Sequence, residues 1–430
     1  MAFADNLSDF IRRKARCNAI WSALFGCISE QAIDTNTLLI LYLIMLGGTD
    51  SFSMFSTAIA GVTFTILSIP AAGVVNRLGL RRSYSIAIYA QTVTFLIIAA
   101  APYTGKFAGM TVLAAFTFFC ILRAFYAATW YPVVDSFLQS GERGHFFGKM
   151  RFIYMIFNMF LIFGVGYLMG KNPPIWLLQL YFAIAGLGLL GRKYFLDKLP
   201  LNTDRESVRV EILPALKISI SNTPLVGFSI YYGFLNLAAL GAFPLAVIYM
   251  KSFLKYDASV IMIITAIGLL GQITGFALVG RILQKIGMRY FEIITHLLFI
   301  IAIGFLMLTN LNWGWSCYLL GGLFFIQGGA LAFLLCIGST EMLALAKPGN
   351  KVMAMSFVST FQYLGNALGR AGAAGIIAMN ILSEQWIFCG WTFSYFHTIF
   401  IFDFVLTFFG LILLILTPAL ISDRSDYYAP

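Results

Sequence analysis

The sequence predicts an all-α membrane protein with twelve transmembrane helices in two pseudo-symmetric six-helix bundles. Three observations support this fold class. Of the 430 residues, 60% are hydrophobic and only 11% are charged, whereas about a quarter of a soluble domain is charged. The apolar residues form twelve long runs. In addition, two polar loops recur at nearly the same spacing along the chain.

A transmembrane helix needs about 20 mostly apolar residues. By that criterion the predicted spans are residues 18–46, 52–76, 83–102, 107–138, 149–170, 174–196, 220–250, 258–284, 290–309, 312–346, 350–379 and 390–420.

Basic residues orient these spans. Of the 28 Lys and Arg residues, 22 fall on the side of the N-terminus and four on the other side, while Arg123 and Arg370 lie within spans. Because cytoplasmic loops carry an excess of Lys and Arg, both termini are predicted to be cytoplasmic, in a cell (inner) membrane. The same asymmetry explains the net charge of +10 without a nucleic-acid partner.

The sequence favours no metal, cofactor or enzymatic activity. Its six cysteines are scattered without metal-ligand spacing, and neither a nucleophile–base set nor a Walker A motif is visible. The expected partners are the lipid bilayer and a small solute.

An internal repeat divides the chain. Residues 76–82 (NRLGLRR) and 284–290 (QKIGMRY) align at an offset of 208, and the residues around Gly144 recur more weakly around Gly349 at an offset of 205. We therefore predict a first bundle over 1–196, a cytoplasmic linker over 197–219 and a second bundle over 220–430.

The first of these loops resembles a known signature. GVVNRLGLRR, residues 73–82, is similar to the signature loop between the second and third helices of the major facilitator superfamily, although Asn76 replaces the usual acid and Leu80 the usual base. ERGHFFGKMR, residues 142–151, resembles the loop before the fifth helix of that family. The resemblance implies a monomeric secondary transporter with parallel half-repeats around a central cavity.

Three ionisable residues within spans are the main functional candidates. Glu30 and Asp34 share one face of the first span, and Arg123 lies near the middle of the fourth. An acid on the first helix facing an arginine on the fourth resembles the proton-coupled sugar symporters of the superfamily. We therefore assign proton coupling to these three residues, with either acid as the titrating group. The alternative is a static ion pair between two helices.

Arg370 in span 11 has two interpretations. With Arg123 it could clamp an anion, or it could bind a backbone carbonyl near the membrane surface. At the repeat position of Arg123 stands the neutral Gln327, which would concentrate coupling charge in the first half. The predicted substrate-binding residues are Tyr154, Asn158, Tyr231, Tyr232, Asn236, Gln272, Gln327, Gln362, Asn366 and Arg370.

The repeated loops are predicted to form cytoplasmic gates. Glycine permits the tight turn in each loop, and the arginines could bind helix-end carbonyls or an acid such as Asp135 or Glu341. Alternatively, their charges only set the topology. The gate residues are Gly73, Asn76, Arg77, Gly79, Arg81, Lys285, Gly287 and Arg289.

Together these features predict a transporter that moves a small polar organic solute by alternating access, with proton symport favoured. One alternative is an organic anion exchanger that uses Arg123 and Arg370. Another, of a different class, is a transporter-like sensor or scaffold without turnover.

Overall fold

The computed structural model describes residues 7–34, 36–138, 143–170, 173–201, 212–310, 314–347, 350–388 and 390–417. These residues are mostly helical. The α-helices are α1 (Asp9–Asp34), α2 (Thr37–Met45), α3 (Asp50–Leu78), α4 (Leu80–Ala100), α5 (Ala108–Asp135), α6 (Arg143–Met169), α7 (Ile175–Leu196), α8 (Ile212–Ile220), α9 (Thr223–Ala239), α10 (Ala242–Ser252), α11 (Ala258–Leu306), α12 (Ser316–Leu345), α13 (Lys351–Ala378) and α14 (Tyr395–Leu416).

The helices are consistent with the predicted count of twelve spans. Within the described residues, nine helical stretches are long and apolar enough to cross a membrane. One of them, Leu80–Val134, has 55 residues, or about 80 Å at 1.5 Å per residue, which is enough for two crossings. A short 3-10 helix, Ala101–Phe107, interrupts it, and Gly105 there leaves helical geometry (φ 60°).

The first and seventh predicted spans are each built from two helices. Asn36, with φ 57°, stands before α2, and Leu240 and Gly241 separate α9 from α10. Asn36 and Gly241 are 205 residues apart, which matches the spacing of the repeat. Interrupted helices at equivalent positions of two halves are a common sign of a substrate site.

The repeated loops share one backbone conformation. Gly79, between α3 and α4, has φ 81° and ψ 154°, and Gly287, inside the 49-residue helix α11, has φ 75° and ψ 169°. A residue with a Cβ atom is strained at such positive φ values. The expectation that glycine makes the turn in both loops is therefore confirmed.

The last span begins later than predicted. Two antiparallel strands, β1 (Gln385–Phe388) and β2 (Trp391–Ser394), pair with Gln385 opposite Ser394. Span 12 therefore starts at Tyr395 rather than 390. Its N-terminus is a capping box, in which Ser394 and His397 satisfy each other's backbone N–H groups. Aromatic residues alternate along this segment, which favours a strand. A search for apolar runs does not separate such a strand from the helix that follows it, so the predicted span began too early.

Glycines allow helices in the second half to pack closely. A Cβ atom on Gly365 of α13 would lie 1.9 Å from the carbonyl oxygen of Gly233 on α9, and one on Gly369 would lie 2.5 Å from that of Leu237. The small residues of GNALGRAG, in predicted span 11, thus allow close helix packing.

The chain groups into two compact units. One contains Met1–Gly47, Ile66–Asn158 and Pro174–Glu211, and the other contains Gly48–Thr65, Met159–Pro173 and Ile212–Pro430. Helices α3 and α6 each contribute to both. The division into six-helix halves joined by residues 197–219 stays a prediction.

Candidate functional site

The carboxylate of Glu30 is bound by two arginines from two other helices. Nη2 of Arg123, on α5, lies 3.1 Å from Oε1 of Glu30. Nη2 of Arg192, on α7, lies 2.7 Å from the same oxygen. Glu30 and Arg123 keep 24% and 20% of their side-chain surface accessible, but Arg192 keeps only 3%. The pairing of Glu30 with Arg123 that the sequence predicted is present, and a second cation joins it.

The sequence of α1 makes room for Arg192. Ser22, Gly26 and Glu30 lie on one face of the helix, four residues apart. A Cβ atom on Gly26 would lie 1.7 Å from Cζ of Arg192, so only glycine leaves space for the guanidinium group here. Nε of Arg192 donates to the carbonyl oxygen of Ser22 over 3.3 Å. This backbone contact fixes the side chain beside Glu30.

Two glycines of α7 bring that helix close to α1. Cβ atoms on Gly188 and Gly191 would lie 2.8 Å and 2.5 Å from the backbone and the ring of Phe25, respectively. The close approach lets a residue near the end of α7 reach the middle of α1. Small residues at helix interfaces serve this purpose in membrane proteins.

Tyr126 completes the cluster. Its ring lies 5.3 Å from Cζ of Arg123 and 4.7 Å from Cζ of Arg192. Each contact is within the range of a cation–π interaction. Because both ion pairs end on one oxygen, the two cations lie within about 6 Å of each other, where they repel by about 3 kcal/mol at an effective dielectric constant of 20. Glu30 and the Tyr126 ring offset that repulsion.

Arg192 is the residue that sequence reasoning placed wrongly. The 22 basic residues assigned to the N-terminal side include Arg192 as a loop charge, but it is a buried part of α7. Its neighbours Lys193 and Lys198 concealed the difference, because a basic residue at the end of an apolar run normally faces water. The side chain of Asp34, the other predicted acid, lies outside the described residues.

A second buried polar cluster lies on α9 and α11 and joins the predicted residue Tyr231 to His296, which the sequence did not single out. The Tyr231 hydroxyl lies 3.2 Å and 3.3 Å from the two ring nitrogens of His296. Glu292, one turn before His296, is fully buried, as is Glu341 on α12. Buried acids are therefore not confined to the first half, contrary to what the neutral Gln327 suggested. An acid near the start of span 9 was the available signal.

Arg370 binds a backbone carbonyl. It is buried on α13, and its Nη1 donates to the carbonyl oxygen of Thr57 on α3 over 2.9 Å. This contact agrees with the second of the two interpretations considered for Arg370.

The remaining substrate candidates occupy varied positions. Tyr232 donates to the carbonyl oxygen of Leu334 over 3.2 Å, and Asn236 donates to that of Tyr232 over 2.7 Å. Asn158 is buried, whereas Tyr154, Gln272, Gln327, Gln362 and Asn366 are half-buried. Their assignment to substrate stays a prediction.

One loop arginine makes the helix-end contact that was expected. Nη2 of Arg81 donates over 3.0 Å to the carbonyl oxygen of Asp197, the C-terminal cap of α7. The carboxylate of Asp197 accepts from Tyr84 at 3.0 Å and from Lys193 at 2.5 Å.

The other predicted gate residues differ in exposure. Arg77 and Lys285 are exposed, whereas Gly73 and Arg289 are half-buried. The side chains of Asn76 and Asp135 lie outside the described residues. A gating role for these loops stays a prediction.

Comparison with known families decides the class of the protein. The sequence profile of the Major Facilitator Superfamily matches residues 21–369. The chain belongs to this superfamily. It is therefore a multi-pass membrane transporter and not an enzyme. No curated protein matches the sequence.

Solved structures of superfamily type share the fold. A point mutant of the nucleoside transporter NupG superimposes with a TM-score of 0.72 and 15% identity, covering 94% of this chain and 99% of that one. A POT family transporter in complex with 5-aminolevulinic acid gives 0.70 and 12%, covering 94% and 95%. The xylose transporter XylE from E. coli gives 0.68 and 14%, covering 94% and 97%.

Proposed function

We propose that this superfamily member is a proton-coupled symporter of a small polar organic solute, with Glu30 as the proton-carrying group. The observation that carries the proposal is the shared ion pair of Glu30 with Arg123 and Arg192. Intramembrane ionisable side chains usually mark substrate or proton pathways. A D-xylose–proton symporter has a similar fold, with a TM-score of 0.70 and 14% identity, so the fold accommodates such coupling.

The proposed coupling follows from the fact that Arg123 and Arg192 share one oxygen atom, Oε1 of Glu30. While Glu30 is ionised, its Oε1 holds both guanidinium groups. When Glu30 takes up a proton, both ion pairs weaken together, because their shared acceptor has lost its charge. The arginines are then free to bind another acceptor, and deprotonation restores the first state. Proton uptake and rearrangement of the site are in this way linked.

The test is proton movement in proteoliposomes that contain the full chain. We expect at least one solute from a panel of sugars, nucleosides and organic acids to drive proton entry, reported by a trapped pH dye. The Glu30→Gln, Asp34→Asn double variant should lose uphill uptake and keep solute exchange, since exchange needs no net proton transfer. Glu384→Gln, which alters an exposed acid, is the control and should transport normally.

Two outcomes would contradict the proposal. If the double variant still concentrates solute, coupling does not depend on these acids. If solutes bind and raise the melting temperature but none crosses the membrane, the chain is a sensor.

The anion exchanger remains the alternative within transport. The Thr57 contact of Arg370 argues against its use of that residue, and accumulation that is insensitive to a protonophore would argue for exchange. As further parts of the proposal, the protein is a monomer of the cell (inner) membrane with both termini in the cytoplasm.

A further inference from the structure

We infer that the transported solute is an organic monoanion whose carboxylate is bound by Arg123 and Arg192, and that its symport with one proton is electroneutral. This inference deepens the proposed function and depends on it. It rests on the charge of the cluster, on unused hydrogen-bond donors and on the rigidity of the two cations.

The cluster carries more positive than negative charge. Within the described part of the chain, two guanidinium groups face one carboxylate oxygen, so with Glu30 ionised these three side chains sum to a net charge of +1. Buried ions normally find full compensation. A surplus cation at a partly accessible place fits a negatively charged ligand better than a neutral one.

Hydrogen-bond donors without a partner also favour a negatively charged ligand. Nη1 of Arg192 and Nε of Arg123 are buried, and neither has a hydrogen-bond partner among the described residues. Buried polar atoms without partners are uncommon in folded proteins. A guanidinium fork matches the two oxygens of a carboxylate, and a carboxylate is therefore the group to which these N–H groups would donate hydrogen bonds.

The two arginines are held in place without the ligand. Ser22 fixes Arg192 through its carbonyl oxygen, and the Tyr126 ring contacts both cations. Because these contacts do not involve Glu30, they can persist when Glu30 is protonated. The binding geometry for an incoming carboxylate is thereby preorganised.

Charge balance then sets the stoichiometry. A solute carboxylate replaces the Glu30 carboxylate as the partner of the arginines, and the proton that enters with the solute resides on Glu30. The loaded cluster has two cations and one anion, and its net charge of +1 equals that of the empty cluster. A phosphate monoester, with a charge of about −1.5 to −2 at neutral pH, would not preserve this balance.

The experiment separates the two driving forces in proteoliposomes of the full chain. The probes are L-lactate, shikimate, D-gluconate and D-glucuronate, with D-glucose as the neutral partner of glucuronate and D-glucarate as a dianion. A pH gradient is imposed with the membrane potential clamped to zero, and a potential is imposed without a pH gradient. We expect the pH gradient alone to drive uptake of at least one monoanion, and the potential to leave that uptake unchanged.

Variants refine the result. Arg192→Gln should raise the KM for the monoanion about tenfold or more, because a charged hydrogen-bond donor is lost. Arg192→Lys should recover part of the affinity, since it restores the charge without the fork. Arg13→Gln, which changes an exposed arginine outside the repeated loops, is the control and should keep the wild-type KM.

Failure of the inference can be told apart from failure of the proposed function. Proton-linked uptake of glucose or a nucleoside, with no monoanion transported, overturns the inference and leaves proton symport intact. Monoanion uptake that responds to the potential overturns electroneutrality. If no solute of either kind moves protons, both conclusions fall.

Discussion

At the scale of single residues, the site depends on a glycine, Gly26, as much as on the charged side chains. Gly26 leaves the space that the guanidinium of Arg192 fills, and Glu30 lies one turn further along the same face. The ion pair could not form with this geometry if α1 carried a Cβ atom there. Transport and stability should therefore respond together to a change at Gly26.

We predict that Gly26→Ala displaces Arg192 from Glu30. The added methyl group overlaps the guanidinium, which is the flexible end of a long side chain and would move aside. The cost arises because a buried donor then loses its acceptors, which typically costs about 1–3 kcal/mol. The melting temperature of the purified protein should fall, and proton-linked uptake should be lost. Gly164→Ala is the matched control: it changes a helical glycine whose Cβ position is open. Equal melting temperatures for the two variants would show that the close contact at Gly26 does not matter.

The sequence predicted the ion pair of Glu30 with Arg123 but not the participation of Arg192. Glu30 and Arg123 could be found because charges are rare inside apolar runs. Arg192 could not, since its burial depends on Gly26, Gly188 and Gly191, which belong to two helices distant in sequence. That packing is a tertiary property, and a count of loop charges does not contain it.

At the scale of helices, glycine determines which elements approach one another. The Gly365 and Gly233 backbones of α13 and α9 meet with no room for a side chain. Contacts of this type allow dispersion forces to hold transmembrane helices together, because lipid provides no hydrophobic driving force between them.

We expect Gly365→Ala to separate α13 from α9. The methyl group would lie 1.9 Å from a backbone oxygen that cannot move aside easily. The expected cost is about 3 kcal/mol, the upper part of the usual range for overpacking, measured as reduced thermal stability in detergent. Gly372→Ala on the same helix, where the Cβ position is open, should be neutral. A stable Gly365→Ala protein would show that this interface can adjust.

Hydropathy predicted the spans well but not their internal breaks. The interruptions at Asn36 and at Leu240–Gly241 lie within continuous apolar runs, so a composition window passes over them. At Asn36 the break coincides with a positive φ, which apolar content does not report. The strands Gln385–Phe388 and Trp391–Ser394 were missed because an apolar window does not distinguish a strand from a helix.

At the scale of the whole molecule, the repeat visible in two short loops has a physical counterpart. Gly79 and Gly287 are 208 residues apart and adopt nearly the same left-handed conformation. The loop similarity in the sequence thus reflects a similar turn at both positions. The repeat was predictable because glycine at such a turn leaves a recognisable pattern.

We predict that Gly79→Ala and Gly287→Ala are destabilising to a similar degree. Each would force a Cβ atom into a combination of positive φ and extended ψ that is essentially restricted to glycine, at a cost of about 1–3 kcal/mol, although neither Cβ position is sterically crowded. Thermal unfolding of both variants should be compared with Gly280→Ala, a change in the helical part of α11. Loss of stability in only one of the two would indicate that the loops differ in their importance for folding.

The strand pair β1 and β2, between α13 and α14, has a practical consequence. Its tip at Gly390 (φ 80°) is an exposed turn outside the membrane helices, and such positions usually tolerate inserted residues. A small epitope placed there would become accessible to antibody in intact cells only if that face of the membrane points outward. The turn between β1 and β2 can thus report the orientation of the protein in the membrane, independently of any count of basic residues.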